Sequence, residues 1–121
     1  GKALFAAQCA ACHQATGQGL PGVFPPLAGS EWVTGEPRVL ANILLHGVTG
    51  PITVAGKSYE GAMPSFRQLG DAELAAVASY IRSAWGNQAA AVAPDLIALE
   101  RKANDRSTPF EGGAALQVLA R

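Results

Sequence analysis

A chain of 121 residues has room for one compact domain and at most a tail, which excludes a multidomain enzyme. With 49% apolar and 15% charged residues, it is too apolar for intrinsic disorder and apolar enough for a core. Nine basic residues balance nine acidic ones, and Lys2, Arg38 and Lys57 offset Glu31, Glu36 and Glu60 locally, so no basic stripe exists to displace counterions from phosphates and nucleic-acid binding is set aside.

Taken in chain order, residues 2–11 (KALFAAQCAA) are rich in helix formers and run without a breaker into Cys12 and His13, which predicts a short first helix. Residues 17–29 (GQGLPGVFPPLAG) are too dense in glycine and proline for any regular element and predict a long, stiff loop. Pro37 suits a first helical position, Val39, Leu40, Ile43 and Leu44 share a side, and Gly47 is a stop, which predicts a helix over 37–46. Residues 47–70 have little periodicity beyond a scrap of strand at 52–54, and so long an irregular segment in a small domain points to function. The strongest helix starts at Gly70 or Asp71, carries Leu74, Val77, Ala78, Ile81 and Trp85 at helical spacing, and stops at Gly86. Three short helices offer a small core for so much glycine-rich backbone, which suggests a missing apolar component.

The composition changes after Gly86. An alanine-rich linker leads to Pro94-Asp95, from which a helix carries Leu96, Ile97, Leu99 and Ala103 inward, with Glu100, Arg101, Lys102, Asp105 and Arg106 facing water. A small apolar cluster of Leu116, Val118 and Leu119 follows Gly112-Gly113. The domain reading is 1–87 plus a partly helical C-terminal extension, 88–121, that packs on the domain or on a partner. No apolar run reaches the roughly 20 residues of a membrane-spanning helix, and Gly1-Lys2 opens without the apolar region of a signal peptide, so the chain as given reads as soluble. The missing leader says nothing against export.

Chemistry concentrates at residues 9–13, CAACH, which hold both cysteines of the chain. Cys-x-x-Cys-His is the covalent haem attachment pattern, in which two thiols add to two vinyl groups while the adjacent imidazole reaches the iron. A thioredoxin-like pair belongs at a helix start after a strand, a zinc site needs four ligands where only one further histidine exists, and a disulfide across two residues is strained. Haem iron takes a sixth ligand, and the one methionine, Met63, stands in GAMPSF within the irregular segment, where Pro64 favours extended geometry and Gly61 relieves crowding. A lone methionine more often fills a core gap, but beside CAACH the His/Met precedent favours ligation. His46 is the rival ligand. Its place at a helix C-terminus before Gly47 assigns it to the last carbonyls or the helix dipole.

Three stretches, CAACHQATGQGLPGVFPPLAGSEW, LLHGVTGPITVAGKSYEGAMPSF and LAAVASYIRSAWGN, resemble a bacterial class I cytochrome c over roughly residues 1–87. The likeness is greatest to monohaem cytochromes that serve as subunits or fused domains of periplasmic redox enzymes, including quinoprotein alcohol dehydrogenases and copper nitrite reductases. It implies an all-α fold around one covalent haem c, with the helix from Gly1 crossing the one that ends at Trp85. It also implies that a carbonyl of Pro25-Pro26, with Pro26 preferred, accepts the His13 ring hydrogen bond. Trp32 and Tyr59 are candidate donors to haem propionates, Arg38 a candidate counter-charge, and Leu20, Val23, Phe24, Leu27, Ile43, Leu44, Val48 and Phe66 candidate lining.

The function so implied is a non-enzymatic, single-electron relay between periplasmic redox partners, a donor and an acceptor that include larger dehydrogenases, reductases or oxidases. Local charge neutrality predicts little salt dependence of association. One alternative is a fixed subunit or domain of a larger oxidoreductase, with residues 94–121 as its clamp. Another is a haem enzyme or gas sensor with open iron, for which the chain offers no distal acid or base.

Overall fold

A computed structural model of the chain describes residues 1–120. Helices α1 (Lys2–Gln8) and α2 (Ala10–His13) replace the continuous first helix expected from composition. The break is at Cys9, whose ψ of −30° is near-helical but whose φ of −122° is not. After the glycine-rich loop come α3 (Glu31–Thr34), capped by the Ser30 hydroxyl, and α4 (Pro37–His46), which begins and ends as predicted. Helix α5 spans Asp71–Ser83, and the Glu73 carboxylate accepts from the Gly70 N–H at 3.0 Å to close its first turn. It stops short of Trp85. That residue takes φ +54° so that its ring packs 5.1 Å from Phe5 and its indole N–H donates to the Ala15 carbonyl at 3.0 Å.

The all-α expectation needs correcting, because the described residues include five short strands. β1 (Val48–Thr49) pairs antiparallel with β4 (Ala62–Met63) and parallel with β5 (Phe110–Glu111), while β2 (Ile52–Val54) and β3 (Lys57–Tyr59) form a hairpin. Breakers at Gly47, Gly50 and Pro51 end the helix, and the β-branched residues between them suit extended backbone. Gly47 has φ +76°, and a Cβ there would collide with the Met63 carbonyl, so only glycine lets α4 hand over directly beneath β4.

The main core joins Phe5 of α1 to Leu40, Leu44 and Leu45 of α4, Leu74, Ala78 and Ile81 of α5, and Ile97 of α6 (Pro94–Ala103). Each fully buried leucine or isoleucine contributes about 2 kcal/mol of transfer free energy. Gly1 sits so close to the Ala76 carbonyl that α1 can cross α5 only because no Cβ intervenes. A second cluster joins Val39, Ile43, Val48, Phe110 and Leu116, the last from α7 (Gly112–Gln117).

Beyond residue 88 the chain lies on α4 and α5. Four expectations for it fail. Glu100 is 2% exposed rather than facing water, whereas Leu99, Ala103 and Val118 are exposed. The buried face of α6 follows Ile97 and Glu100 because Arg38 and Asn42 of α4 offer the carboxylate hydrogen-bond donors, at 3.1 and 3.0 Å. Val118 falls in the last short turn, past the part of α7 that touches the second cluster.

Candidate functional site

One cavity receives residues from both ends of the fold. Its walls include Cys9, Cys12 and His13 from the α1–α2 junction, Phe24 to Leu27 from the loop, Trp32 from α3, Leu40, Ile43 and Leu44 from α4, Tyr59 from β3, Met63 from β4, and Phe66. Thus Cys9, Cys12, His13, Pro26, Leu27, Trp32, Tyr59, Met63 and Phe66, all candidates from the sequence, line the same space. The surroundings are predominantly aliphatic and aromatic.

His13 closes α2 and is buried. Its Nδ1 donates to the Pro25 carbonyl at 2.9 Å, since a carbonyl only accepts, and this fixes the tautomer that leaves Nε2 free for a metal. Burial lowers the ring's pKa from the usual histidine value, and the bond to Pro25 opposes that shift. The acceptor is Pro25 rather than the preferred Pro26, which contributes to the wall instead. Cys9 and Cys12 are free and half-buried. Burial, and secondarily the neighbouring Cys12, push the Cys9 thiol above its usual pKa, which does not favour the ready thiolate of a dithiol redox catalyst. Among the described residues no three His, Cys, Asp or Glu side chains converge on a metal position.

Met63 is placed by strand pairing: its register opposite Val48 brings it to the cavity, half-buried, beside the core of α4. Tyr59 is buried, and its hydroxyl has no partner among the described residues. Trp32 also lines the cavity, but its indole N–H is committed to the Thr53 carbonyl at 2.7 Å and is not free for a propionate. Arg38 is likewise committed, to Glu100 at 3.1 Å, and does not reach the cavity. Leu20 is turned out to 45% exposure by the bridge it forms with Phe24, whereas Val23, Phe24, Leu27, Ile43, Leu44, Val48 and Phe66 all line the wall. His46 lies elsewhere, in a separate depression, and its ring bonds none of the helix carbonyls assigned to it.

Sequence reading missed Phe5, Leu40, Val77 and Ile81 as walls. The periodicity of Val77 and Ile81 showed a buried face without showing what it met. Arg82 was also missed. It is 5% exposed and donates to the carbonyls of Val33, Gly35 and Ala90 at 2.7 to 2.9 Å, tying α3 and the linker to α5.

Two cysteines, a neutral imidazole with one nitrogen free, a thioether and apolar walls in one cavity fit a flat, covalently held iron porphyrin. Residues 1–85 match the family model described as Cytochrome c. Cytochrome c-552 of Thermus thermophilus is 52% identical over 85 residues, covering 67% of this chain and 65% of that protein. The protein named "Alcohol dehydrogenase (quinone), cytochrome c subunit" of Gluconobacter oxydans is 41% identical over 91 residues, 74% of this chain and 19% of that protein. The gluconate 2-dehydrogenase cytochrome c subunit of Pantoea cypripedii is 33% identical over 127 aligned residues, 98% of this chain and 27% of its own length. The chain therefore spans less than two thirds of the length of each of these relatives.

Proposed function

The chain belongs to the cytochrome c family, and on that premise we propose that it is a one-electron carrier whose single haem c is bound through Cys9 and Cys12 and ligated by His13 and Met63. When bound, the haem supplies reversible exchange between ferrous and ferric iron, with a thioether ligand favouring the ferrous state. The chain's own residues hold that group still. Cys9 and Cys12 bracket one turn and would anchor the haem as thioethers. The Pro25 carbonyl fixes the His13 ring and raises its basicity. Pairing of β1 with β4 sets where Met63 can reach. Phe24, Leu40, Ile43, Leu44 and Phe66 exclude water, and the unpartnered Tyr59 hydroxyl is the donor suited to a propionate.

The observation that carries this reading is the convergence of Cys9, Cys12, His13 and Met63 on one predominantly apolar cavity. Held by both His13 and Met63, the iron would have no position left for a substrate, so the protein would act as an electron carrier rather than as an enzyme. Val23, half-exposed at the cavity, and its exposed neighbour Leu20 offer an apolar rim of the sort brief redox encounters use. The partners are a periplasmic electron donor and acceptor. Residues 1–87 form the haem domain, and the described part of the 88–121 extension covers α4 and α5.

A second reading, a fixed cytochrome subunit or domain of a larger oxidoreductase, is supported by one observation. The match to the gluconate 2-dehydrogenase cytochrome subunit runs through the extension as well as the haem domain.

A pyridine haemochrome spectrum tests the cofactor, and denaturing electrophoresis tests its attachment. One haem c per chain that stays with the polypeptide is the expected result. Loss of all pigment on denaturation contradicts the proposal.

A further inference from the structure

We propose that the open depression behind α4, where the imidazole of His46 meets the guanidinium groups of Arg67 and Arg106, binds a small tetrahedral dianion of the sulfate or phosphate type. His46 is 6% exposed, lines this depression, and has no hydrogen-bond partner at either ring nitrogen. The Asn104 backbone favours the protonated ring, but neither ring nitrogen completes a hydrogen bond with it. Buried polar groups are bonded in the great majority of cases, so a ring orphaned at both nitrogens beside a depression points to a group that enters there.

The cations around it are unevenly committed. Arg101 is spent: it pairs with Asp71 at 2.9 Å and donates to the carbonyls of Arg67 and Leu69. Arg106 donates through Nε to the Thr108 carbonyl and through Nη2 to the Pro109 carbonyl, which leaves Nη1 free. Its guanidinium lies 4.0 Å over the Phe110 ring, and Phe110 in turn meets His46 edge-on at 5.8 Å, so the cation and the imidazole are held in one stack. Arg67 uses only Nη1, on the Arg106 carbonyl, and keeps Nε and Nη2 free for a forked contact. Ser65 is engaged with the Leu45 carbonyl and the Arg67 N–H. Because Asp71 matches Arg101, only the exposed carboxylate of Asp105 opposes the charges of Arg67 and Arg106. Free guanidinium donors, an orphaned imidazole and an excess of positive charge make an oxyanion the complementary ligand.

The test uses the ferrous haem protein and sulfate, whose charge is constant across the pH range, with chloride as the ionic-strength control. The His46 ring resonances should shift saturably with sulfate and not with chloride, and the His46 pKa should rise on saturation, because an anion favours the imidazolium. Arg67→Gln, at an exposed position, should weaken sulfate binding by about fivefold or more while leaving the haem spectrum unchanged. Shifts that chloride reproduces at equal ionic strength, an unmoved His46 pKa, or unaltered affinity in Arg67→Gln would each overturn the proposal.

Discussion

Met63 is paired with Val48 across the β1–β4 ladder, and on its other edge Val48 is paired with Phe110 of the C-terminal extension. The segment that presents the thioether is therefore backed by a strand from about fifty residues further on. Phe110 is 3% exposed and packs with Val39, Ile43, Val48 and Leu116. Phe110→Ala should cost about 3 kcal/mol of stability. In a denaturant titration it should also release Met63 from iron at a lower concentration than in the parent. Unchanged midpoints for both signals would mean that the extension does not support the Met63 strand.

Glu100 joins the extension to α4 in a buried network. Its carboxylate accepts from Asn42 at 3.0 Å, Asn104 at 3.1 Å and Arg38 at 3.1 Å. Arg38 is partly exposed and its share is screened by water, so the fully buried Asn42 amide carries most of the penalty when the acceptor is lost. Glu100→Ala should destabilise the protein by about 2 to 3 kcal/mol, and Glu100→Gln by roughly half that. Equal melting temperatures for the parent and both variants would contradict this.

Stability should depend on pH through His46. Burial lowers its pKa from 6.5, with Arg106, Arg67 and Arg101 acting in the same direction and the Asn104 carbonyl against them. Between the unfolded value and the lowered folded one, the unfolded chain binds the extra proton. The stability associated with His46 is thus present above about pH 6.5 and is lost as pH falls below it. Chemical denaturation at neutral and mildly acidic pH, in the parent and in His46→Gln, measures this, and the variant should show the shallower decline. Parallel declines would show that other groups govern the acid side.

The proposed haem site was legible in the sequence because its groups are few and mostly local. CAACH places three functional groups within five residues, and Met63 is the one thioether in the chain. Helices α4 and α6 were readable from a starting proline and, for α4, a closing Gly47. The break at Cys9 was not, since no glycine or proline marks it. Of the strands, β2 was expected at 52–54, and the others escaped because two or three residues carry no period and their pairing depends on partners distant in sequence. Glu100 was assigned to water by its charge, and only the donors on α4, 58 and 62 residues away, explain its burial. Likewise, Trp32 had the right chemistry for a propionate, yet the Thr53 carbonyl takes its N–H.

Electron exchange should respond weakly to salt. The formal net charge is zero and the two signs are interspersed, so long-range steering is small. The self-exchange rate between ferrous and ferric protein, followed by NMR line broadening, should change by less than about threefold between low and physiological ionic strength. A tenfold change would reveal a charged encounter surface that the sequence balance conceals.

The most direct test of the account is Met63→Ala, read in the ferric protein through the weak near-infrared charge-transfer band of iron bound to methionine sulfur. The parent should show the band. The variant should lose it, bind cyanide readily and shift to a lower midpoint potential while keeping its thioether-linked haem. A band and a midpoint potential that both survive the substitution would contradict ligation by Met63 and, with it, the reading of this chain as a His/Met electron carrier.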